Sequence, residues 1–164
     1  MACRRRGARP GRRRHAMSPA KAEILGRSPL FDLLSPAELQ VVADLSKPRR
    51  FAAGERIFAE GEVGDSLCVL GAGEVEVSRH EAAAAPLVVL GPPASFGEMA
   101  LVDREHRSAT VKARTEVQAL QLTAENFTTF RKYSRDGFTL VVINIARVLS
   151  GRLRETSAKL AARL

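Results

Sequence analysis

The stretch "FAAGERIFAEGEVGDSLCVLGAGEVEV", residues 51–77, decides the fold. Arg56-Ile57-Phe58, Leu67 to Leu70 and Glu74-Val75-Glu76-Val77 are strand-like, and Gly54, Gly61, Gly64, Gly71 and Gly73 fall between them. Glu74 to Ser78 alternates polar and apolar residues, as a half-exposed strand does. Short strands separated by glycine turns predict a small antiparallel sandwich or barrel.

Outward from this stretch the same texture continues. Arg50-Phe51-Ala52, Leu87 to Leu90, Ala109 to Ala113 and Val117 to Leu122 complete the set, with Gly91 as a further break, so the β body covers about 48–122. Residues 18–46 before it are helical in character. Ser35 is an N-cap followed by Pro36 at the first helical position, Leu39, Val42, Ala43 and Leu45 form one apolar stripe, and Pro48 stops the helix. After the β body, Thr123 caps a helix that Arg135-Asp136-Gly137 is expected to break. A long helix then runs from Phe138 to about Leu164, placing the C-terminal helices at about 124–163. Within it Val142, Ala146, Leu149, Leu153, Thr156 and Leu160 alternate spacings of four and three, the pattern of a helix–helix seam. Val141, Ile145 and Val148 form a neighbouring stripe that could face the β body. Gly151 beside Ser150 marks a candidate bend.

The chain has 164 residues, 45% hydrophobic and 27% charged, enough for one domain with a proper core. The net charge of +8 is concentrated: seven of the 26 basic residues lie in 1–14 with no acid, leaving 19 against 18, or +1, for the remainder. Residues 1–17 are therefore read as a basic, disordered tail able to contact nucleic acid or another acidic surface. Met17 begins "MSPAKAEILGRSPLF", which also reads as a natural start, so whether residues 1–16 are translated stays open. No apolar run is long enough to cross a bilayer. Of two cysteines, Cys3 and Cys68, the second lies in an apolar run; a reduced buried thiol suits a cytoplasmic protein.

Catalytic signatures are missing: no phosphate-loop motif, no paired-cysteine or HExxH metal motif, no nucleophile elbow. His15, His80 and His106 are scattered through polar segments, which argues against an enzyme, a metal site or a bound cofactor.

One stretch does carry chemistry, "SFGEMALVDREHRSAT", residues 95–110. A helix starting near Gly97-Glu98 presents free N–H groups to an anion, and Arg107 on a strand edge can add a guanidinium fork. A carboxylate beside an anion site is repulsive unless it accepts a proton from the same ligand, as from a sugar hydroxyl. Two readings stand: a site for a phosphorylated sugar with a free hydroxyl, or a Glu98–Arg107 ion pair bracing a loop.

The motif "FGEMAL" followed by "RSAT" resembles the phosphate-binding cassette of the cyclic nucleotide-binding domain family. The resemblance extends through the Glu-Gly-x-x-Gly-Asp corner at 60–65, the Gly-x-Val-x-Val strand, the lead-in "SPLFDLLSPAELQVVADL" and the exit "VKARTEVQALQLTAENF". It implies a domain over 18–164 that is mainly β with flanking helices, a double-stranded jelly-roll of the β-roll type with a long C-terminal helix. It implies cAMP or cGMP as ligand, with Arg107 on the exocyclic phosphate oxygens and Glu98 accepting the ribose 2′-hydroxyl. Backbone groups of Gly97, Met99 and Ala100 and the Ser108 hydroxyl would complete the cradle. Departures from the family pattern are Pro92-Pro93-Ala94-Ser95 before the cassette, His106 before the arginine, and Cys68 where an aromatic is common.

"GRLRETSAKL", residues 151–160, is similar to the long helix of the catabolite-activator branch, which implies purine contacts by Arg152, Thr156 and Ser157 and favours cAMP over cGMP. It also implies a homodimer through that helix. No DNA-reading module follows within the sequence, so the expectation is a sensor that changes helix, dimer or partner contacts on binding, with an effector the sequence does not name and no sequence-specific DNA recognition. The alternatives are a β-roll interaction module without nucleotide, or nucleic-acid contact through the tail.

Overall fold

In the computed structural model the described residues are 20–80 and 85–163. The arginine-rich tail, Cys3, His15 and the alternative start at Met17 lie outside them.

The chain enters through α1 (Lys21–Gly26), a 3₁₀ turn (Pro29–Phe31) and α2 (Pro36–Leu45). Ser35 caps α2 in a reciprocal box: its hydroxyl accepts from the Glu38 N–H and the Glu38 carboxylate accepts from the Ser35 N–H. The helix ends at Leu45, and Pro48 lies inside the next strand, β1 (Lys47–Phe51). That position is tolerated because β1 is an edge strand.

The remaining strands are β2 (Arg56–Phe58), β3 (Ser66–Ala72), β4 (Val75–Ser78), β5 (Val88–Leu90), β6 (Ser95–Phe96), β7 (Thr110–Ala113) and β8 (Val117–Thr123). They form two antiparallel four-stranded sheets, ordered β1-β8-β3-β6 and β2-β7-β4-β5. This is the expected mainly-β roll with flanking helices. Gly71 differs from its expected place between strands: it lies inside β3, where the register against β8 shifts between Leu70 and Ala72. A glycine fits such a bulge. Strand β6 was not foreseen, because two residues are too few to show a period.

The centre of β3 is buried on both faces and so reads as a continuous apolar run. Leu67 and Val69, with Leu120 and Leu122 of β8, face the helices; Cys68 and Leu70, with Val117 and Ala119, face the interior of the roll.

After β8 come α4 (Ala124–Tyr133) and α5 (Arg135–Ala161), with α3 (Met99–Asp103) between β6 and β7. Thr123 and Asn126 form the cap of α4. The break between α4 and α5 falls at Ser134, not at Arg135-Asp136-Gly137, which form the first turn of α5. Ser134 has an extended backbone and its hydroxyl accepts from the Gly137 N–H, making it a better N-cap than the glycine is a stop. Ser134 also donates to Glu38 Oε1 at 2.6 Å, fastening α5 to α2. Asn144, buried in the first half of α5, donates to the carbonyls of Leu30 and Asp32.

Of the two stripes on α5, Val141 and Ile145 are buried and Val148 packs against the same helical cluster. Leu149, assigned to the outer seam, also packs there. Val142, Leu153 and Leu160 stay exposed. The helix runs unbroken through Ser150-Gly151. Among the described residues no helix is long and apolar enough to cross a membrane, and no group of three His, Cys, Asp or Glu could hold a metal.

Candidate functional site

The interior cluster of the roll supplies the floor of the site. Phe58 and Phe96 meet edge to face, their ring centroids 5.5 Å apart. Over the Phe58 ring, 3.6 Å from its centroid, lies the Arg107 guanidinium. The backbone of Arg107 is clamped by the corner at 60–65: its N–H donates to the Glu62 carbonyl at 2.7 Å, and its carbonyl accepts from the Gly61 N–H at 2.9 Å. Its side chain donates to the Gly97 carbonyl at 3.2 Å and to the Ser66 hydroxyl at 3.4 Å. Ser66 also accepts from Gln121.

Gly97 takes a backbone only glycine adopts readily, φ +84°, between β6 and α3. A Cβ there would lie 2.8 Å from Arg107 Nη1 and from the Phe58 ring. The residue is thus what lets the arginine approach the main chain.

Glu98 follows as the first flank of α3, and only 2% of it is exposed. Its Oε1 accepts from Arg152 of α5, whose guanidinium also donates to the Ser95 carbonyl. Its Oε2 is buried and has no hydrogen-bond partner among the described residues. Burial pushes the Glu98 carboxyl above its ordinary value, against the opposing pull of Arg152 and, more weakly, Arg107. Burial draws Arg107 below its ordinary value, with the Asp65, Glu62 and Glu98 carboxylates among the groups opposing it. Behind the site the Cys68 thiol is fully buried and pushed up to about 12 by desolvation, which keeps it protonated and inert.

The alternative of a Glu98–Arg107 brace is not what forms: among the described residues Glu98 pairs with Arg152, and Arg107 is in no ion pair. A guanidinium fixed by stacking and a buried carboxylate oxygen lacking a donor can together hold a ligand carrying one anionic group and one hydroxyl. The backbone of Met99 and Ala100 opens α3, where the first N–H groups have no acceptor within the helix. Ser108 is exposed, its hydroxyl 3.7 Å from Met99 Sδ.

Residues 48–134 match the family model of the cyclic nucleotide-binding domain. The chain belongs to that family. Among curated relatives, the cyclic AMP receptor protein of Thermus thermophilus is 33% identical over 135 residues, covering 81% of this chain and 61% of the relative. Glutaminase 2 of Bradyrhizobium diazoefficiens is 35% identical over 135 residues, 82% of this chain and 21% of that protein. A solved structure of the catabolite activator protein of Thermus thermophilus superposes with a TM-score of 0.70 at 33% identity, covering 82% of this chain and 62% of that one. The chain thus spans between about a fifth and three fifths of the length of these relatives.

As a cyclic nucleotide-binding domain the chain brings together the expected Gly97, Glu98, Met99, Ala100 and Arg107. The three C-terminal residues behave differently. Arg152 reaches the roll, yet its partners are Glu98 and Ser95; Thr156 and Ser157 are exposed, Thr156 bonding back to the Arg152 carbonyl. Three participants were missed. Phe58 read only as part of the strand-like Arg56-Ile57-Phe58 and Ser66 stood just outside the expected strand Leu67 to Leu70, while Ser95, acting through its carbonyl, carries no side-chain signature.

Proposed function

We propose that this domain binds a 3′,5′-cyclic nucleotide, cAMP in preference to cGMP, as a regulatory sensor rather than as an enzyme. The observation that carries the reading is the buried Glu98 Oε2, which has no hydrogen-bond donor among the described residues, beside an Arg107 guanidinium held over the Phe58 ring. A cyclic phosphate retains one negative charge, which Arg107, the N–H groups of Gly97, Met99 and Ala100 and the Ser108 hydroxyl would hold. The ribose keeps one free hydroxyl at the 2′ position, which would donate to Glu98 Oε2 while Arg152 keeps Oε1. Arg152 then acts as a positioning residue for the carboxylate. The purine would lie toward α5, within the province of Thr156 and Ser157, whose hydroxyls suit either base. The preference for cAMP rests on the likeness of 151–160 to the catabolite-activator helix and on a relative named as a cyclic AMP receptor.

With Arg152 still on Oε1, a ribose drawing on Oε2 would act through the Glu98 carboxylate on the seating of α5, which carries the exposed Val142, Leu153 and Leu160 to a second copy or to an effector. The setting we assign is cytoplasmic.

Calorimetric titration with cAMP and with cGMP, using Arg107→Ala as control, tests the proposal. Saturable binding lost in the variant supports it, and the tighter nucleotide identifies the purine. Absence of heat and of thermal stabilisation with both nucleotides would leave the β-roll as an interaction module.

A further inference from the structure

A second recess lies between α3 and the α4–α5 joint. Its volume is about 230 Å³, and its apolar wall includes Leu101, Val102, Phe138, Val142 and Ile145. Val102 is 58% exposed and Val142 42%. Arg104 and Arg131 line the same recess, and no carboxylate does. Arg131 and Thr128 also border an adjoining hollow of about 350 Å³ whose other lining residues are Lys132 and Arg135. None of these four cations is in an ion pair among the described residues; Arg131 has only the Phe138 ring, 5.9 Å away.

Val102 and Val142, left exposed beside four cations without an ion pair among the described residues, form a surface with two demands. Its complement is a partner with apolar anchors and carboxylates close by. The size narrows the choice. At about 230 Å³ the apolar recess falls below the roughly 300–1,000 Å³ of sites that enclose a small molecule and suits one or two inserted side chains, while the adjoining hollow is lined by Thr128 and cations alone and lacks the apolar walls of such a site. We propose that this groove docks an acidic amphipathic segment of a partner protein, its Leu, Val or Phe side chains in the recess and its Asp or Glu residues on Arg104, Arg131, Lys132 and Arg135. One wall is α3, which begins beside Glu98, and the other is the joint from which α5 carries Arg152. An occupant therefore touches both elements that meet at the candidate nucleotide site. That coupling rests on the nucleotide reading; the docking itself does not.

The test is selection of random displayed peptides on the full chain without nucleotide, followed by fluorescence anisotropy of the winners. Two exposed cations are reversed in Arg104→Asp with Arg131→Glu, and Val102→Ser changes the apolar wall alone; unaltered thermal midpoints establish that both variants fold. The expected winners combine Leu, Val or Phe with Asp or Glu. They bind at least tenfold more weakly to the charge-reversed protein, several-fold more weakly to Val102→Ser, and weaken with added salt. Replacing their acids with lysine restores binding to the reversed protein. Failure to enrich peptides, winners without acids, or affinity unmoved by charge reversal overturns the proposal. So does binding to phosphatidylglycerol vesicles in place of peptides, which would assign the surface to a membrane.

Discussion

Removing the Arg152 side chain strands a buried charge, and the size of the loss follows from where its two partners sit. Glu98 is 2% exposed and the Arg152 side chain 33% exposed. Solvent-exposed pairs contribute about 0–1 kcal/mol, whereas breaking a fully buried pair costs about 3–5 kcal/mol. With one partner buried and the other partly solvated, Arg152→Ala is expected to cost about 2 kcal/mol at pH 7.5. The loss is pH-dependent with a definite sign. Glu98 already has a raised folded-state pKa, and Arg152 is the largest influence holding it down. Without Arg152 it rises further, so the folded state retains a proton that the unfolded chain releases, and stability falls as pH climbs from the ordinary glutamate range. Acidification from pH 7.5 to pH 5 should therefore shrink the difference between variant and wild type. The chain has no tryptophan, so urea unfolding is followed by circular dichroism of the helices. A loss below about 0.5 kcal/mol at pH 7.5, or one that grows on acidification, would refute the argument by showing that the carboxylate is effectively hydrated. The double variant Glu98→Gln, Arg152→Ala should lose less than the sum of the single losses, since no charge is stranded.

Gly97→Ala should cost at least about 2 kcal/mol and abolish nucleotide binding, since φ is +84° and the new Cβ meets Arg107, Phe58 and Ser66 within 2.9 Å; wild-type stability and calorimetry would contradict this. Gly151→Ala should raise stability by about 1 kcal/mol, because the helix is continuous there and a Cβ meets nothing within 4 Å; a lower unfolding midpoint would expose a required bend. 2′-Deoxy-cAMP should bind roughly tenfold to a hundredfold more weakly than cAMP, the cost of leaving Glu98 Oε2 unpaired, and equal affinities would remove Glu98 from the sugar contact. If α5 joins a second copy as proposed, the wild type sediments as a dimer and Leu153→Glu as a monomer without a lower unfolding midpoint, since the residue is 69% exposed; a monomeric wild type would contradict this.

Much of this architecture was readable because local chemistry and global fold agree. The Ser35 and Thr123 caps announce their helices, and alternation along Val75 to Ser78 announces its strand. Elsewhere the deciding interactions join residues far apart in the chain. Ser134 looks like one more polar residue before Asp-Gly; its role as cap and as donor to Glu38, 96 positions earlier, exists only once α2 and α5 pack. The site divides in the same way. Gly97, Glu98 and Arg107 lie within one short stretch whose residue types mark a candidate anion site, whereas Phe58 under the guanidinium and Arg152 on the carboxylate arrive from elements 49 and 54 residues away, and a charge pattern along the chain cannot pair them.

The three fastenings of α5 have a mechanical consequence. Ser134 and Asn144 hold the inner half of the helix to α2 and to the turn at 29–32, while Arg152 is its last tie to the roll; residues 153–163 are exposed. With Asn144 as fulcrum, Arg152 sits about 12 Å out and Ala161 about 25 Å out, at 1.5 Å of rise per residue. The helix is a lever with a gain of about two: an ångström of sideways travel at Arg152 appears as about two at the tip, on the surface a neighbour would feel.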